Sequence, residues 1–521
     1  MINKYLLIVI CFILSCNTAF SDVTPSSLFC DHMVVQRNVK IPIWGTAKPG
    51  EKVTVTFNKA KKSIKANAQG KWKVSLKKQL AGGPYTMSVK GKNLVVIKDV
   101  YVGDVYLCSG QSNMDMTVAK EDRYWCGVNN EAEEVANAKY PLIRVFDVDF
   151  TPNNIVQTEV KGLWEVCSPT TVGHFSAAAY FFAREIFNLK EIPIGLITSA
   201  YGASAAESWI SEKALKSRPN LGYLLDNYKK KLDKFVADSS VSMSEYRNLM
   251  KKYNGDLAAL KASSGDVNNT RAPRAPKNPD PMLDQHNPIV CYNGMIAPLI
   301  PFPICGALWY QGESNGPSAK EYKEIMETLV SDWRTSWGVG DFPFIYVQLA
   351  NYGKPMVKPV EDGPLMTVRE SQSKNLSIPN TAMICAIENA GDDPTNIHPK
   401  NKQEIGYRLS LAARALVYGE NITYSGPTYR NYQVEGDAIR IFFDNTEECI
   451  VAWNAKLTGF AICGKDKVFV WADAKFDGNT VLVSSPLVKN PVAVRYCWGT
   501  NPPASLANME GLWTPHFRTD E

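Results

Sequence analysis

The chain has 521 residues, room for two to four domains at roughly 100–200 residues each. With 57 Lys plus Arg against 52 Asp plus Glu, the net charge of +5 is spread along the chain without a basic block, which argues against nucleic acid binding. Hydrophobic residues at 45% and charged residues at 21% are ordinary globular usage and exclude both a disordered chain and a polytopic membrane protein.

Lys4 precedes an apolar stretch from Tyr5 to Leu14, followed by small residues and Ala19-Phe20-Ser21. This pattern predicts a secretory signal peptide over 1–21 and an extracytoplasmic location, periplasmic or secreted. The run is too short to cross a hydrocarbon core of about 30 Å, and no comparable run follows. Ile13-Leu14-Ser15-Cys16 is also similar to a bacterial lipobox, which would place a lipid anchor on Cys16. Ten of the twelve cysteines lie beyond residue 21, where disulfides can persist. Cys108, Cys305 and Cys385 nevertheless sit in apolar runs and read as small core hydrophobes. The C-x-x-C spacing of a zinc cluster is absent.

From Val34 to about Val105 short alternating segments such as Val53, Val55 and Phe57 are separated by turns at Pro49-Gly50, Gly70 and Gly82-Gly83-Pro84. They predict an N-terminal β-sandwich over 22–104. After Tyr106 the rhythm becomes strand, Gly-rich turn, helix. Strands are expected at Val105 to Cys108, Ile194 to Thr198, Ile304 to Trp309, Phe344 to Gln348 and Ala382 to Ile387; helices at Ala177 to Phe187, Lys320 to Trp337 and Asn401 to Tyr418. That alternation predicts an α/β domain over 105–423, a parallel sheet flanked by helices. Within it, about 213–280 reads as a helical insert closed by a Pro-rich loop, and 424–521 as a C-terminal β-rich domain.

Chemistry gathers in four turns. In Tyr106-Leu-Cys-Ser-Gly110-Gln-Ser-Asn-Met114 an apolar strand ends in a turn carrying Ser112, at the sheet edge where active sites of open α/β sheets form. A serine there is a nucleophile or simply a turn cap. A nucleophile needs a base within hydrogen-bond reach, and histidine has the suitable pKa. Of five histidines, His398 stands out: Gly391-Asp-Asp-Pro-Thr-Asn-Ile-His-Pro399 lies between a strand and a helix, although a histidine bonded to loop backbone fits equally. Gly306-Ala-Leu-Trp-Tyr310-Gln-Gly-Glu-Ser-Asn315 repeats the strand-then-glycine pattern and offers the Asn315 amide as a neutral donor for an oxyanion. Gly195-Leu-Ile-Thr-Ser-Ala-Tyr-Gly202 offers the Gly202 N–H as another.

These segments, in this order, resemble the SGNH/GDSL hydrolase superfamily and, more closely, its sialate O-acetylesterase family. The similarity extends to Leu28-Phe29, Met33-Val-Val-Gln36-Arg37, Asn293-Gly-Met-Ile-Ala-Pro-Leu299, Ser331-Asp-Trp333-Arg334 and Phe517-Arg-Thr-Asp520. The resemblance implies an SGNH-type fold and a serine esterase without metal or organic cofactor. It implies Ser112 as nucleophile, His398 as base, and an oxyanion hole from Ser112 N–H, Gly202 N–H and Asn315. The substrate it implies is an O-acetylated sialic acid, with position 9 foremost. Acetylxylan is the enzymatic rival and a non-catalytic glycan-binding protein the rival from another class. One departure stands out: the aspartate that the superfamily places three residues before the histidine is Thr395 here. Asp393 is the expected third member, with Asp392, a backbone carbonyl, or the loop residue Glu313 as alternatives. Arg271, Arg274 and Arg369 are conceivable partners for a sialate carboxylate.

Overall fold

The computed structural model describes residues 22–123, 125–263, 275–387, 393–446, 449–453 and 456–520. The expected leader with Cys16, and Asp392, Arg271 and Arg274, lie outside the described residues. The chain forms a mixed α/β structure built on one large sheet, with further β-rich regions toward both ends.

At the N-terminal end, Thr24–Pro25, Ile41–Thr46 and Lys71–Leu76 form one small sheet. Lys52–Phe57, Ala60–Lys65 and Gly82–Lys90 form antiparallel pairs that join the long strand β1, Leu94–Gly110. Alternation governs which side chains turn inward: Val53, Val55 and Phe57 are buried while Lys52 is exposed. Ala60–Lys65 was not expected, because its lysines face solvent and leave no apolar alternation to read. β1 spans 17 residues. Its first half pairs with Gly82–Lys90, and from Asp104 onward it lies in the central sheet, so the strand runs unbroken through position 104/105.

The other strands of the central sheet are β2 (Ile143–Asp147), β3 (Trp164–Val166), β4 (Ile194–Ala200), β5 (Gly306–Tyr310), β6 (Phe344–Gln348) and β7 (Thr381–Cys385). Their order is β3-β2-β4-β1-β5-β6-β7, parallel throughout except for β3 at the edge. Successive side chains enter opposite cores. Leu107, Trp309 and Phe344 face a core shared with Trp333 and the N-terminal strands, whereas Tyr106, Cys108, Leu308 and Tyr310 face a second core. Helices cover both faces: α1 (Ala177–Lys190) and α5 (Lys402–Leu416) contribute to the second core, and α3 (Tyr322–Trp337) to the first. Burial on both faces explains the continuous apolar runs of β5 and β6. The expected helical insert contains α2, Gly222–Ser263, 42 residues long. Among the described residues no helix is long and apolar enough to cross a membrane.

α4 (Pro364–Lys374) carries Arg369, which is completely buried. Its guanidinium donates from Nε to Leu349 O at 3.0 Å, from Nη1 to Gly499 O at 2.8 Å, and from Nη2 to Ala350 O and Thr500 O. The arginine considered for a substrate carboxylate instead ties the chain after β6 to the C-terminal region. That region holds two further four-stranded sheets, one around Ala438–Asp444 and Thr480–Ser484 and one around Phe460–Cys463 and Ala493–Tyr496. They share a core that reaches Cys385 and Ile387 at the end of β7. Among the described residues Cys30, Cys108, Cys126, Cys167, Cys291, Cys305, Cys449 and Cys463 are free thiols.

Candidate active site

The sheet order places the site. The chain leaves β1 toward β2 and β4 on one side and later resumes with β5, β6 and β7 on the other, so the carboxyl end of β1 is a switch point with a crevice between its neighbours. Gly110 closes β1 with φ at +139°, and a Cβ there would lie 2.2 Å from Tyr310 O, so only glycine lets the two strands end side by side. The chain then turns into a short helical turn, Ser112–Asp115, whose first residue is Ser112. The first N–H groups of a helical turn have no acceptor within it, which leaves the Ser112 N–H available to a ligand.

His398 arrives from the loop after β7. Its Nε2 lies 2.8 Å from Ser112 Oγ, and both residues are buried. The Trp125 ring stacks on the imidazole, with centroids 5.1 Å apart and planes at 21°. Lys400 Nζ fixes the Trp125 segment by donating to Trp125 O and Cys126 O. Burial together with the charges of Lys402 and Lys400 pushes the imidazole down to about 4, so the ring is neutral and able to accept a proton near neutral pH. His32, His174 and His286 are engaged with Asp99, Glu165 and Asp284, and His516 is buried beside Trp498.

Three of the expected site residues have other partners in this structure. Asp393 does not reach His398: it is exposed, and its carboxylate accepts from Thr395 N at 2.9 Å and Thr395 Oγ1 at 2.8 Å. A short-range Asx turn is the nearest partner such a loop offers, and it wins over the imidazole. Asn315 is completely buried, and its amide already has partners at both atoms. Its Nδ2 donates to Glu207 Oε2 at 2.7 Å and Ser318 Oγ at 3.0 Å, while its Oδ1 accepts from Ala206 N and Gln311 Nε2. Burial of Glu207 demands a donor, and the Asn315 amide answers that demand. Gly202 does border the serine, since a Cβ there would lie 3.7 Å from Ser112 Cβ. Its N–H, however, donates to Asp115 Oδ2 at 3.2 Å.

Other residues, not singled out in the sequence, stitch the site together. Asn113 Nδ2 donates to Glu313 Oε1 at 2.7 Å and Ile397 O at 3.1 Å, and its Oδ1 accepts from buried Lys402 Nζ at 2.9 Å. One amide thus joins the serine turn, the β5 loop and the histidine loop. Gln111 Oε1 adds bonds from Gly312 N and Ser314 N. Adjacency to Ser112 was the one signal for these two; nothing local marks Trp125. At the rim, Arg123 lies 4.6 Å over the Trp125 ring and pairs with Asp115 and Glu121. Among the described residues no cluster of three His, Cys, Asp or Glu side chains is arranged to hold a metal ion.

Residues 292–415, spanning β5 through most of α5, match the family described as carbohydrate esterase, sialic acid-specific acetylesterase. The sialate O-acetylesterases of Mus musculus and Homo sapiens are 29% and 27% identical, covering 92% of this chain and 90% and 88% of theirs. A carbohydrate acetylesterase of Xanthomonas citri is 33% identical, with a TM-score of 0.79, over 96% of this chain and 99% of that one. The chain belongs to the sialate O-acetylesterase family. It is an esterase, and its membership of a carbohydrate esterase family gives the Ser112–His398 pair a chemical context.

Proposed function

We propose that the enzyme removes O-acetyl groups from sialic acids, with position 9 as the acetylated hydroxyl, through an acyl-enzyme on Ser112. The observation that carries this reading is the 2.8 Å contact between Ser112 Oγ and neutral His398 Nε2 at the switch point of the sheet. His398 takes the serine proton as Oγ bonds to the acetyl carbon. The imidazolium then gives that proton to the departing sugar oxygen as its bond to the acetyl carbon breaks. Water repeats the sequence in reverse and leaves acetate. The Ser112 N–H supports the oxyanion, and Gly202 N–H joins it by exchanging Asp115 for the developing charge. The names of the mouse and human relatives support sialic acid as the sugar. The leader-like residues 1–21 support action outside the cytoplasm.

A neutral acetylated polysaccharide such as acetylxylan is the second reading. Arg123 at the rim is already paired with two carboxylates and is poorly placed to receive a third. Acetate release from 9-O-acetylated sialic acid, measured beside acetylxylan under the same conditions, separates the two. The expected outcome is a higher kcat/KM on the sialic acid; a preference for acetylxylan would overturn the sialate assignment.

A further inference from the structure

The turn that carries the Gly202 N–H is tied to the sheet at both ends. Tyr201 N donates to Gly110 O at 3.0 Å; after the turn, Ser204 Oγ donates to Gly110 O at 3.2 Å and Ser204 O accepts from Gln311 Nε2 at 3.1 Å. Ser204 N closes the turn on Tyr201 O at 3.3 Å, which puts Gly202 and Ala203 at its two central positions. The second of these is an alanine with φ at +58°, where a turn with positive φ ordinarily calls for glycine or asparagine. Ala203 is exposed, so packing of its methyl does not hold it in that conformation. A left-handed residue of this kind persists only where its surroundings fix it.

The contacts that fix it come from another loop. Gln285 Nε2 donates to Gly202 O at 3.1 Å, and Gln285 O accepts from Ala205 N at 3.2 Å, so one glutamine grips the chain on either side of Ala203. Its own loop is braced in turn. Asn287 N donates to Asp284 O at 2.9 Å, Asn287 Nδ2 to Pro281 O at 2.9 Å, and Lys231 Nζ of α2 to Asn287 Oδ1 at 2.6 Å. We propose that Gln285 is a positioning residue for the reaction: its amide holds Gly202 O, and with it the N–H of the same residue, beside Ser112. This rests on the reading of the Gly202 N–H as an oxyanion donor. The helical insert thereby acts on the site, reaching the turn through Lys231, Asn287 and Gln285.

Gln285→Met is the test, since methionine keeps most of the side-chain volume and the backbone bond to Ala205 but removes the donor to Gly202 O. The expected result is a fall in kcat for acetate release of about 10- to 100-fold, up to the lower end of what deleting an oxyanion donor costs. KM stays within about twofold, because the contact that is lost serves the transition state. Ala203→Gly supplies the rescue, since glycine takes a positive φ without help. In the Gln285→Met background it raises kcat at least about fivefold more than it does in the parent, the mark of two coupled positions. A kcat within about threefold of the parent in Gln285→Met would overturn the proposal. So would a fall that Ala203→Gly relieves no more than it does in the parent, which would reduce Gln285 to a brace of the fold. Gly202→Pro, which deletes the N–H itself, separates the two failures. Full activity in that variant would overturn the underlying reading, whereas a large loss there beside parent-like Gln285→Met would overturn the proposal alone.

Discussion

Ser112→Ala lowers acetate release by about 10⁴- to 10⁶-fold, the scale on which a triad nucleophile is worth its full catalytic effect. The loss is large because no other hydroxyl takes its place: His398 Nε2 is directed at Ser112 Oγ, and the ring is pinned there by Trp125. Stability changes little, since the serine is the first residue of its helical turn and its hydroxyl bonds only the histidine among the described residues. Purified variant and parent compared for acetate release and thermal midpoint provide the check. A covalent serine-directed organophosphate labels the parent at residue 112 and leaves the variant unlabelled. Acetate release within tenfold of the parent would remove Ser112 from the reaction.

The second large effect is on stability. Arg369→Met retains most of the side-chain volume but strips the donor from three carbonyls, those of Leu349, Ala350 and Gly499, and one of two donors from Thr500 O, which keeps Tyr352 N. A buried acceptor left without a donor costs about 1–3 kcal/mol, so the total is about 4 kcal/mol or more, in the exceptional tail of single substitutions. The methionine returns some apolar contact, which is why the sum falls short of three full penalties. Urea unfolding followed by tryptophan fluorescence is the measurement, and a midpoint equal to the parent's would refute the account. The expected transition is not uniform: the C-terminal sheets, tied to the catalytic region through Gly499 and Thr500, lose their hold first.

What could be read from the sequence follows from the range of the forces involved. Period-two alternation made Lys52–Phe57 legible to the residue, and a doubly buried run did the same for Phe344–Gln348. Ile143–Asp147 and Trp164–Val166 went unread: the first carries Arg144 among its apolar residues, and the second is three residues long at a sheet edge. At the site, Ser112 and His398 stand on turns that follow strands, a local signal, and the fold brings them together. Asn315 stands on such a turn as well, but the destination of its amide is decided by Glu207, 108 positions earlier, whose buried carboxylate leaves no trace near Asn315 in the chain. Asp393 failed for the opposite reason, a competitor two residues away. Glu313 could be noticed as an acid, yet only coordinates reveal that its Oε1 is bonded by Asn113 while its buried Oε2 has no partner among the described residues.

The strand Leu94–Gly110 has a practical consequence. Its leading half is a member of the N-terminal sheets and its trailing half delivers the nucleophile, so the backbone that orients Ser112 is anchored at both ends by different layers. A fragment beginning near residue 105 would start with a severed rod, its hydrogen-bonded overhang gone and the packing of Val100 and Val102 lost from the shared interior. The amino-terminal layers are therefore part of the catalytic scaffold and not a detachable appendage, and a transplant of this active centre would have to carry them along.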